Sequence, residues 1–544
     1  MKQLISIMLL LAVMQTGRAQ VAGTPYIGYS QGLGSTMGTD FWLTFTNNYN
    51  TADVGSRGNG ATVSLLLTIA TDLPNTVTIS FTADSVAGAP RSFTYNLAAG
   101  ESRRIELDSM GSDGSTDATI DERANVYLGT AIGLSASGVL NNTMHVTSVQ
   151  PIAVYLFNVN NATTDATCVY PVPTWGTEYR PISYSSNFQP AEVVIANQDG
   201  TNIFINGSTT PTATLKAGQL YIVQGNAADD FTGRRFTSSK PVAYFAARAG
   251  LNVGSQFNDM LQEQMVSVDK WDKQYFVPNV PQFRTSSIPT PGGIFINGSN
   301  IVLTNNHIRI VASQDNTQVN YTGAALAGGG GVQIASGGTL NAGQYAELII
   351  SNKDSGTYIT ANKPIGVADY LVGGDTNPNN LDGTTSTSGT SGLSNKVSGD
   401  PDNAVIPGLE QLIQQITISP FIFPLSTTID TRLAYTNFDG VQNGGINTAT
   451  PIHSAIILTP KANKGNVVMT KGTDPTNLLT GTWIDDANGS GMSIYRYVFD
   501  NVNDIGSSFT IKSLLSGVGI FVLSYGLANY ESYFYNAGSG LKGL

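Results

Sequence analysis

Apolar and small polar residues alternate along this chain in short bursts, and each burst ends at Gly, Asn, Asp or Pro. Ala61-Thr62-Val63-Ser64-Leu65-Leu66-Leu67-Thr68-Ile69 is one, Thr76-Val77-Thr78-Ile79-Ser80-Phe81 another, and Ile308-Arg309-Ile310-Val311 and Ile456-Ile457-Leu458 follow. Short β-branched runs with period two predict strands. Helical periodicity is nearly absent. The best stretches, Asn258 to Met265 and Pro407 to Gln415, predict helices of at most about three turns each. Leu514 to Leu523 is strongly apolar but interrupted by Ser516, Gly517 and Gly519, and predicts a buried strand.

The bursts recur in a fixed order. Leu97-Ala98-Ala99-Gly100-Glu101 returns as Leu215-Lys216-Ala217-Gly218-Gln219 and as Leu340-Asn341-Ala342-Gly343-Gln344. Each copy predicts a turn, with Gly supplying a positive φ. After each comes a strand that opens on proline: Pro151-Ile152-Ala153-Val154, Pro241-Val242-Ala243-Tyr244 and Pro364-Ile365-Gly366-Val367. Proline suits a strand's first residue, where its missing N–H costs least. A third phrase, Val-x-x-Trp-x-x-x-Tyr, spans Val172 to Tyr179 and Val268 to Tyr275. Its tryptophan is read as a core plug between sheets, with a sugar-stacking platform as the alternative.

These recurrences predict an all-β fold of repeated units: 35–187, 188–283, 284–423 and a diverged 424–544. In the last, Gly465-Asn466-Val467-Val468-Met469 and Gly517 to Val522 stand in for two of the strands. Terminal units of an array are often atypical. Two architectures fit, a propeller-like ring of sheets or a row of tandem β-sandwiches. The polar stretch 373–403, inside the third unit, predicts a long surface excursion.

Composition adds location. Lys2, the apolar run Leu4 to Met14 and small Gly17 and Ala19 predict a signal peptide over 1–19, cut before Gln20. That run is shorter than the roughly 20 apolar residues that span a bilayer, so no transmembrane segment is expected after its removal. A net charge of −11 without basic clusters argues against nucleic acid as a partner. With one cysteine, Cys168, no internal disulfide is possible, and the residue is read as a small buried hydrophobe.

Several phrases resemble the N-terminal domain family of IgGFc-binding protein, which is also widespread in exported Bacteroidetes proteins. They are Gly38-Thr39-Asp40-Phe41-Trp42-Leu43, Pro151 to Tyr155, Val172 to Tyr179, Gln264 to Trp271, Tyr525-Gly526, Glu531-Ser532-Tyr533 and Ala537-Gly538. The likeness covers most of the chain after about Ser35. Two departures are Asp272 where the first copy has Gly176, and an end at Leu544 without an appended sorting or motility domain. Immunoglobulin binding is associated with the mammalian namesake, and no binding residues carry over from it.

Candidate chemistry is sparse. The three histidines, His145, His307 and His453, fall in different units without metal-ligand spacing. Carboxylates gather at Asp113, Asp117, Asp121 and Glu122, and again at Asp375, Asp382, Asp400 and Asp402. Acidic Gly/Asn loops can bind calcium, which makes Asp113, Asp117 and Asp121 the candidate metal ligands; otherwise no cofactor is expected. No catalytic residue stands out. The expectation is an exported, secreted or cell-surface binding or adhesion protein that recognises a glycoprotein or polysaccharide through its inter-strand loops. The alternatives are a carbohydrate-active hydrolase built on paired carboxylates and a structural surface or matrix component.

Overall fold

The computed structural model describes residues 35–48, 64–83, 92–108, 110, 120–131, 137–160, 163–253, 259–283, 301–303, 306–328, 330–351, 355–373, 401–420, 452–500, 503–504, 506–528 and 531–541. The fold is all-β and built from four related β units. Each is organised on a long spine strand: Met144–Asn160, Phe236–Leu251 and Gly356–Leu371 in the first three. In the fourth the spine is divided between Phe509–Ser513 and Phe521–Ala528.

The C-terminal half of each spine sits second in an antiparallel blade of four strands. In the second unit the order from the centre outward is Asp259–Gln264, spine, Pro190–Ala196, Leu220–Gln224. The first unit places Thr163–Val169 innermost, then the spine, Ser64–Ala70 and Ser102–Glu106. The third places Asp402–Val405, the spine, His307–Ala312 and Tyr345–Ile350. The fourth places Glu531–Gly538, the spine, Ile452–Pro460 and Met492–Val498. The diverged last unit therefore keeps the blade of the others.

The blades close into a ring, which decides between the two architectures. One apolar cluster joins the first and second units (Leu67, Ile69, Val193, Phe245), and two join the second and third (Val194, Tyr244 and Val405; Leu251, Val311 and Tyr370). Another joins the third and fourth (Ile308, Val367, Ile456, Leu523), and the last joins the fourth back to the first (Ile457, Tyr535, Leu66, Phe157). Successive side chains on a strand point to opposite faces. Val193 and Ile195 thus meet the first unit while Val194 and Ala196 meet the third. Burial on both faces explains why these strands read as near-continuous apolar runs.

The four innermost, or axial, strands pack around the centre in the order first, second, third, fourth and back to first. The strand after each axial strand crosses to the next unit. Gly176–Tyr179 pairs with the second spine, Asp272–Pro278 with the third, and Gln415–Ile418 with the N-terminal piece of the fourth. The ring shuts by the same move. Gly38–Leu43 pairs with the first spine, and Ser35, just before it, bridges Gly540, just after the last axial strand. The Thr36 N–H donates to the Ser539 carbonyl at 3.0 Å.

The repeated phrases have concrete roles. Gly100, Gly218 and Gly343 all take positive φ, between 73° and 79°. The residue that follows folds its side chain back onto the turn. Glu101 Oε2 accepts from Ala98 N–H, Gln219 Oε1 from Lys216 N–H and Gln344 Oε1 from Asn341 N–H, at 2.7–2.9 Å. Trp175 and Trp271 are core plugs, with Nε1 donating to the carbonyls of Tyr170 and Val266. Tyr179 and Tyr275 pin the crossing strand by donating to the carbonyls of Val242 and Ile365. The structure adds a third copy, the 3₁₀ turn Leu409–Gln411 with Leu412 in the tryptophan's place.

Three expectations are corrected. Of the stretch Asn258 to Met265, the described residues 259–265 hold no helix; Asp259–Gln264 is the axial strand of the second unit. Pro407 to Gln415 contains only the 3₁₀ turn before the next strand begins at Gln415. Leu514 and Leu515 are exposed, in the break of the fourth spine, and the buried strand begins at Phe521. The expected signal peptide lies outside the described residues.

Candidate functional site

The ring axis is filled. Its strands carry a concentration of buried polar side chains: Thr163, Thr164, Asp165 and Thr167 from the first unit, Asp259, Gln262, Glu263 and Gln264 from the second, Asp402 and Asn403 from the third. Axial strands are the inner edges of their sheets, so their outward N–H groups need partners that no neighbouring ladder supplies. Side chains of the adjoining unit supply them. Asp259 Oδ1 accepts from Thr164 N–H at 2.6 Å and from Met260 N–H at 2.8 Å. Asp165 accepts from Ala166 N–H through Oδ1 and from Gln262 N–H through Oδ2. Gln264 Oε1 accepts from Tyr170 N–H, and the Thr167 hydroxyl donates to Glu263. Gln262 ties in the first unit's outer loop: its Oε1 accepts from the N–H and hydroxyl of Thr46, and its Nε2 donates to the Thr44 carbonyl at 2.7 Å.

This setting weighs on the carboxyls. Burial pushes Asp165 up to about 7, although its hydrogen bonds to Asp402 and to backbone N–H groups pull the other way. Burial, then the neighbouring Asp165, raises Glu263, and burial with Asp165 and Asp259 raises Asp402. A carboxyl in such a place keeps its proton at pH values where an exposed one has lost it.

The candidate metal ligands fall elsewhere. Asp113 and Asp117 lie outside the described residues. Asp121 is gripped by Arg123, which donates from Nε to Oδ1 at 2.9 Å and from Nη2 to Oδ2 at 2.7 Å, so its oxygens already serve a cation. Of the second acidic group, Asp375, Asp382 and Asp400 lie outside the described residues, whereas Asp402 is fully buried on the axis and not in a solvated loop. The axial acids Asp165, Asp259 and Glu263 gave no signal in sequence, because they are scattered over two units among polar neighbours. Among the described residues no group of three or more His, Cys, Asp or Glu side chains is arranged to hold a metal ion.

The histidines stay apart. His145 Nε2 meets Asp40 at 2.8 Å and its ring stacks on Trp42 with centroids 3.9 Å apart. His307 Nδ1 meets Glu347 at 2.8 Å, and His453 Nδ1 meets the Tyr533 hydroxyl inside the fourth blade. Cys168 is buried. Around Arg309 the second unit is stitched to the third. Its guanidinium pairs with Glu347 and Asp230 at 3.0 and 2.7 Å and lies over the rings of Tyr184 and Tyr345. That fork and its aromatic sandwich are engaged by protein groups, as in a structural joint.

The gaps lined by Thr46, Leu128, Ala191 and Ala247, and by Met265, Trp271, Tyr275 and Ile406, are of water size. Among the described residues, four of the five large exposed apolar side chains lie where the fourth unit meets the first. Leu73 and Val149 stand together, since Asn75 Oδ1 accepts from the N–H groups of Val149 and Gln150. Across the seam Asp72 accepts from Gln415 Nε2 at 3.2 Å, and Gln415 pairs with Lys512, two residues before exposed Leu514 and Leu515. In the second and third units the place of Gln150 is taken by Lys240 and Lys363, whose ammonium groups cap the carbonyls of Asp199 and Asp315. Val139, on the strand that pairs with Leu220–Gln224 in the second unit, is exposed apart from this group.

Among the described residues no helix is long and apolar enough to cross a membrane. No curated protein and no solved structure matches the chain. A family model described as IgGFc binding protein matches twice, over residues 34–226 and over residues 165–480, a combined span that takes in three blades and the start of the fourth. The chain belongs to the IgGFc-binding protein family.

Proposed function

We propose that this is an exported protein that binds a glycoprotein by surface contact, without covalent chemistry. Family membership across most of the ring carries the reading. The physical features agree with it. A closed ring holds its surface rigid, and its axis is occupied by its own side chains. The exposed aliphatic side chains at the seam, Leu73, Val149, Leu514 and Leu515, suit the protein part of such a partner better than a sugar, which packs best on aromatic faces. Export agrees with the apolar leader before Gln20 and with a single buried cysteine.

The test is binding of residues 20–544 to immobilised immunoglobulins, mucins and polysaccharides, with and without calcium. Saturable binding to a glycoprotein is expected, weakened at least about tenfold in the Leu73→Glu, Leu515→Glu double variant, since losing a buried apolar anchor costs about 2 kcal/mol or more. Binding to polysaccharide alone would refute the glycoprotein reading, and turnover of any of these materials would refute the non-catalytic one. Calcium dependence would direct attention to Asp113 and Asp117.

A further inference from the structure

We propose that the repeated Ala-Gly-Gln/Glu turn is a clasp that seats each blade on the blade before it, that residues 486–490 are its fourth copy, and that the first copy is the latch that shuts the outer rim of the ring. Each turn runs into the fourth strand of its own blade and lands where the preceding unit enters its spine. The second turn lands on the first unit. The Thr143 hydroxyl, one residue before Met144–Asn160, donates to the Gly218 carbonyl at 2.6 Å. A Cβ on Gly218 would lie 2.9 Å from Thr82 Oγ1 and 3.1 Å from Cζ3 of Trp42. The third turn lands on the second unit. Gly343 packs on Gly233, three residues before Phe236–Leu251, and a Cβ on Gly343 would lie 2.6 Å from the Gly233 carbonyl oxygen. The first turn lands on the fourth unit. A Cβ on Gly100 would lie 2.5 Å from the Gly472 Cα, and the Gly100 carbonyl accepts from Ser508 N–H at 3.1 Å, one residue before Phe509–Ser513. Approaches this close leave no room for a side chain, which gives the glycine of the phrase a second reason besides its positive φ.

The fourth unit lacks the Ala-Gly-Gln phrase, yet residues 486–490 stand in its place before Met492–Val498. They land on the third unit by the same rule. Asn488 Nδ2 donates at 2.7 Å to the carbonyl of Gly356, the first residue of the spine Gly356–Leu371. The hydroxyl of Ser355, one residue earlier, donates to Asp486 Oδ1 at 3.1 Å. This turn also closes on its own side chain, since the Asp486 carboxylate accepts from the N–H groups of Asn488 and Ser490 at 2.9 and 2.8 Å. Here the closing acid precedes the turn instead of following it, so the phrase is lost and the clasp is kept.

The chain itself crosses the first three joints, through Gly176–Tyr179, Asp272–Pro278 and Gln415–Ile418. No such crossing joins the fourth unit to the first. There the clasp pairs backbone with backbone: Glu101 and Ser507 form an antiparallel bridge, with Ser102 N–H donating to the Gly506 carbonyl at 2.9 Å. The exposed aliphatic side chains stand on both sides of this joint, Leu73 and Val149 on the first unit and Leu514 and Leu515 on the fourth. The latch therefore also sets the spacing between the two halves of that surface.

Amide hydrogen exchange on the full chain tests this, because each change is made in one blade and read in its neighbour. Gly100→Ala and Gly200→Ala both put alanine into left-handed backbone, but a Cβ on Gly200 meets nothing within 4 Å. Gly100→Ala is expected to quicken exchange at Ser508 by about tenfold or more, and Gly200→Ala to leave it unchanged. Two milder variants carry the test if Gly100→Ala does not fold. Thr143→Val removes the first unit's donor to the second turn and should quicken the Gly218 amide by about tenfold. Asn488→Ala keeps the turn closed by Asp486 and should quicken Asn279 of the third unit, whose N–H donates to the Ser355 carbonyl at 3.0 Å. An unchanged Ser508 in Gly100→Ala, or equal quickening there in both glycine variants, would overturn the latch. An unchanged Gly218 amide in Thr143→Val would overturn the clasp, and an unchanged Asn279 in Asn488→Ala the fourth copy.

Discussion

Gly366 shows how tightly single positions are fitted. It stands in the third proline-led strand where the first two units have Ala153 and Ala243. A Cβ there would lie 2.6 Å from Cζ2 of Trp271, a ring boxed into the core. Gly366→Ala should therefore destabilise by about 1–3 kcal/mol, the cost of overpacking, although alanine is the residue used in the sister units. Chemical denaturation would show a lower midpoint at an unchanged slope. The repeated phrases were legible at this scale because their roles are local: a glycine with positive φ, a Glu or Gln closing its own turn, a proline opening a strand. The fit of Gly366 to Trp271 was not, since it joins residues from two different phrases across a strand pair.

The axial strands were the least legible elements. Apart from Asp259, Asp259-Met260-Leu261-Gln262-Glu263-Gln264 is made of good helix formers and lacks period-two alternation, which is why it suggested a helix. Tertiary demand overrides that preference: an inner edge in a dry axis needs acceptors for its neighbour's N–H groups, and Asp, Glu and Gln supply them. Asp402 was missed for the same reason, being grouped with the acids of a polar stretch. The role predicts the outcome of Gln262→Ala. It strands the Thr44 carbonyl and the Thr46 N–H and hydroxyl inside the protein, and should cost about 1–3 kcal/mol for each group left without water. Protease nicking near residues 44–48 of the first unit should rise with it.

For the whole molecule, acids with raised titration dominate the pH response above neutrality. Burial lifts Glu192 to about 7 and Asp369 to about 8. Unfolding returns them to the ordinary range near 4, so their contribution is intact at low pH and is lost as pH rises from about 4 to about 8. His453 acts in the opposite sense. Burial depresses it to about 3, so folding loses ground only as pH falls below its ordinary value near 6.5. Thermal melts between pH 6.5 and 8.5 isolate the acids, and the melting temperature should drop across that interval. The unit repeat was readable from the phrases, but the choice of a ring was not. It depends on strand crossings and on the contact of Ser35 with Gly540, partners at opposite ends of the chain.

That contact also fixes arithmetic. An open array can gain or lose a repeat and keep its remaining neighbours. Here each unit lends a strand to the next and the last receives the first, so removing or duplicating one would leave the Ser35–Gly540 seam without a mate in register. Sequences that keep this seam should therefore vary in the lengths of their connecting segments while holding to four blades.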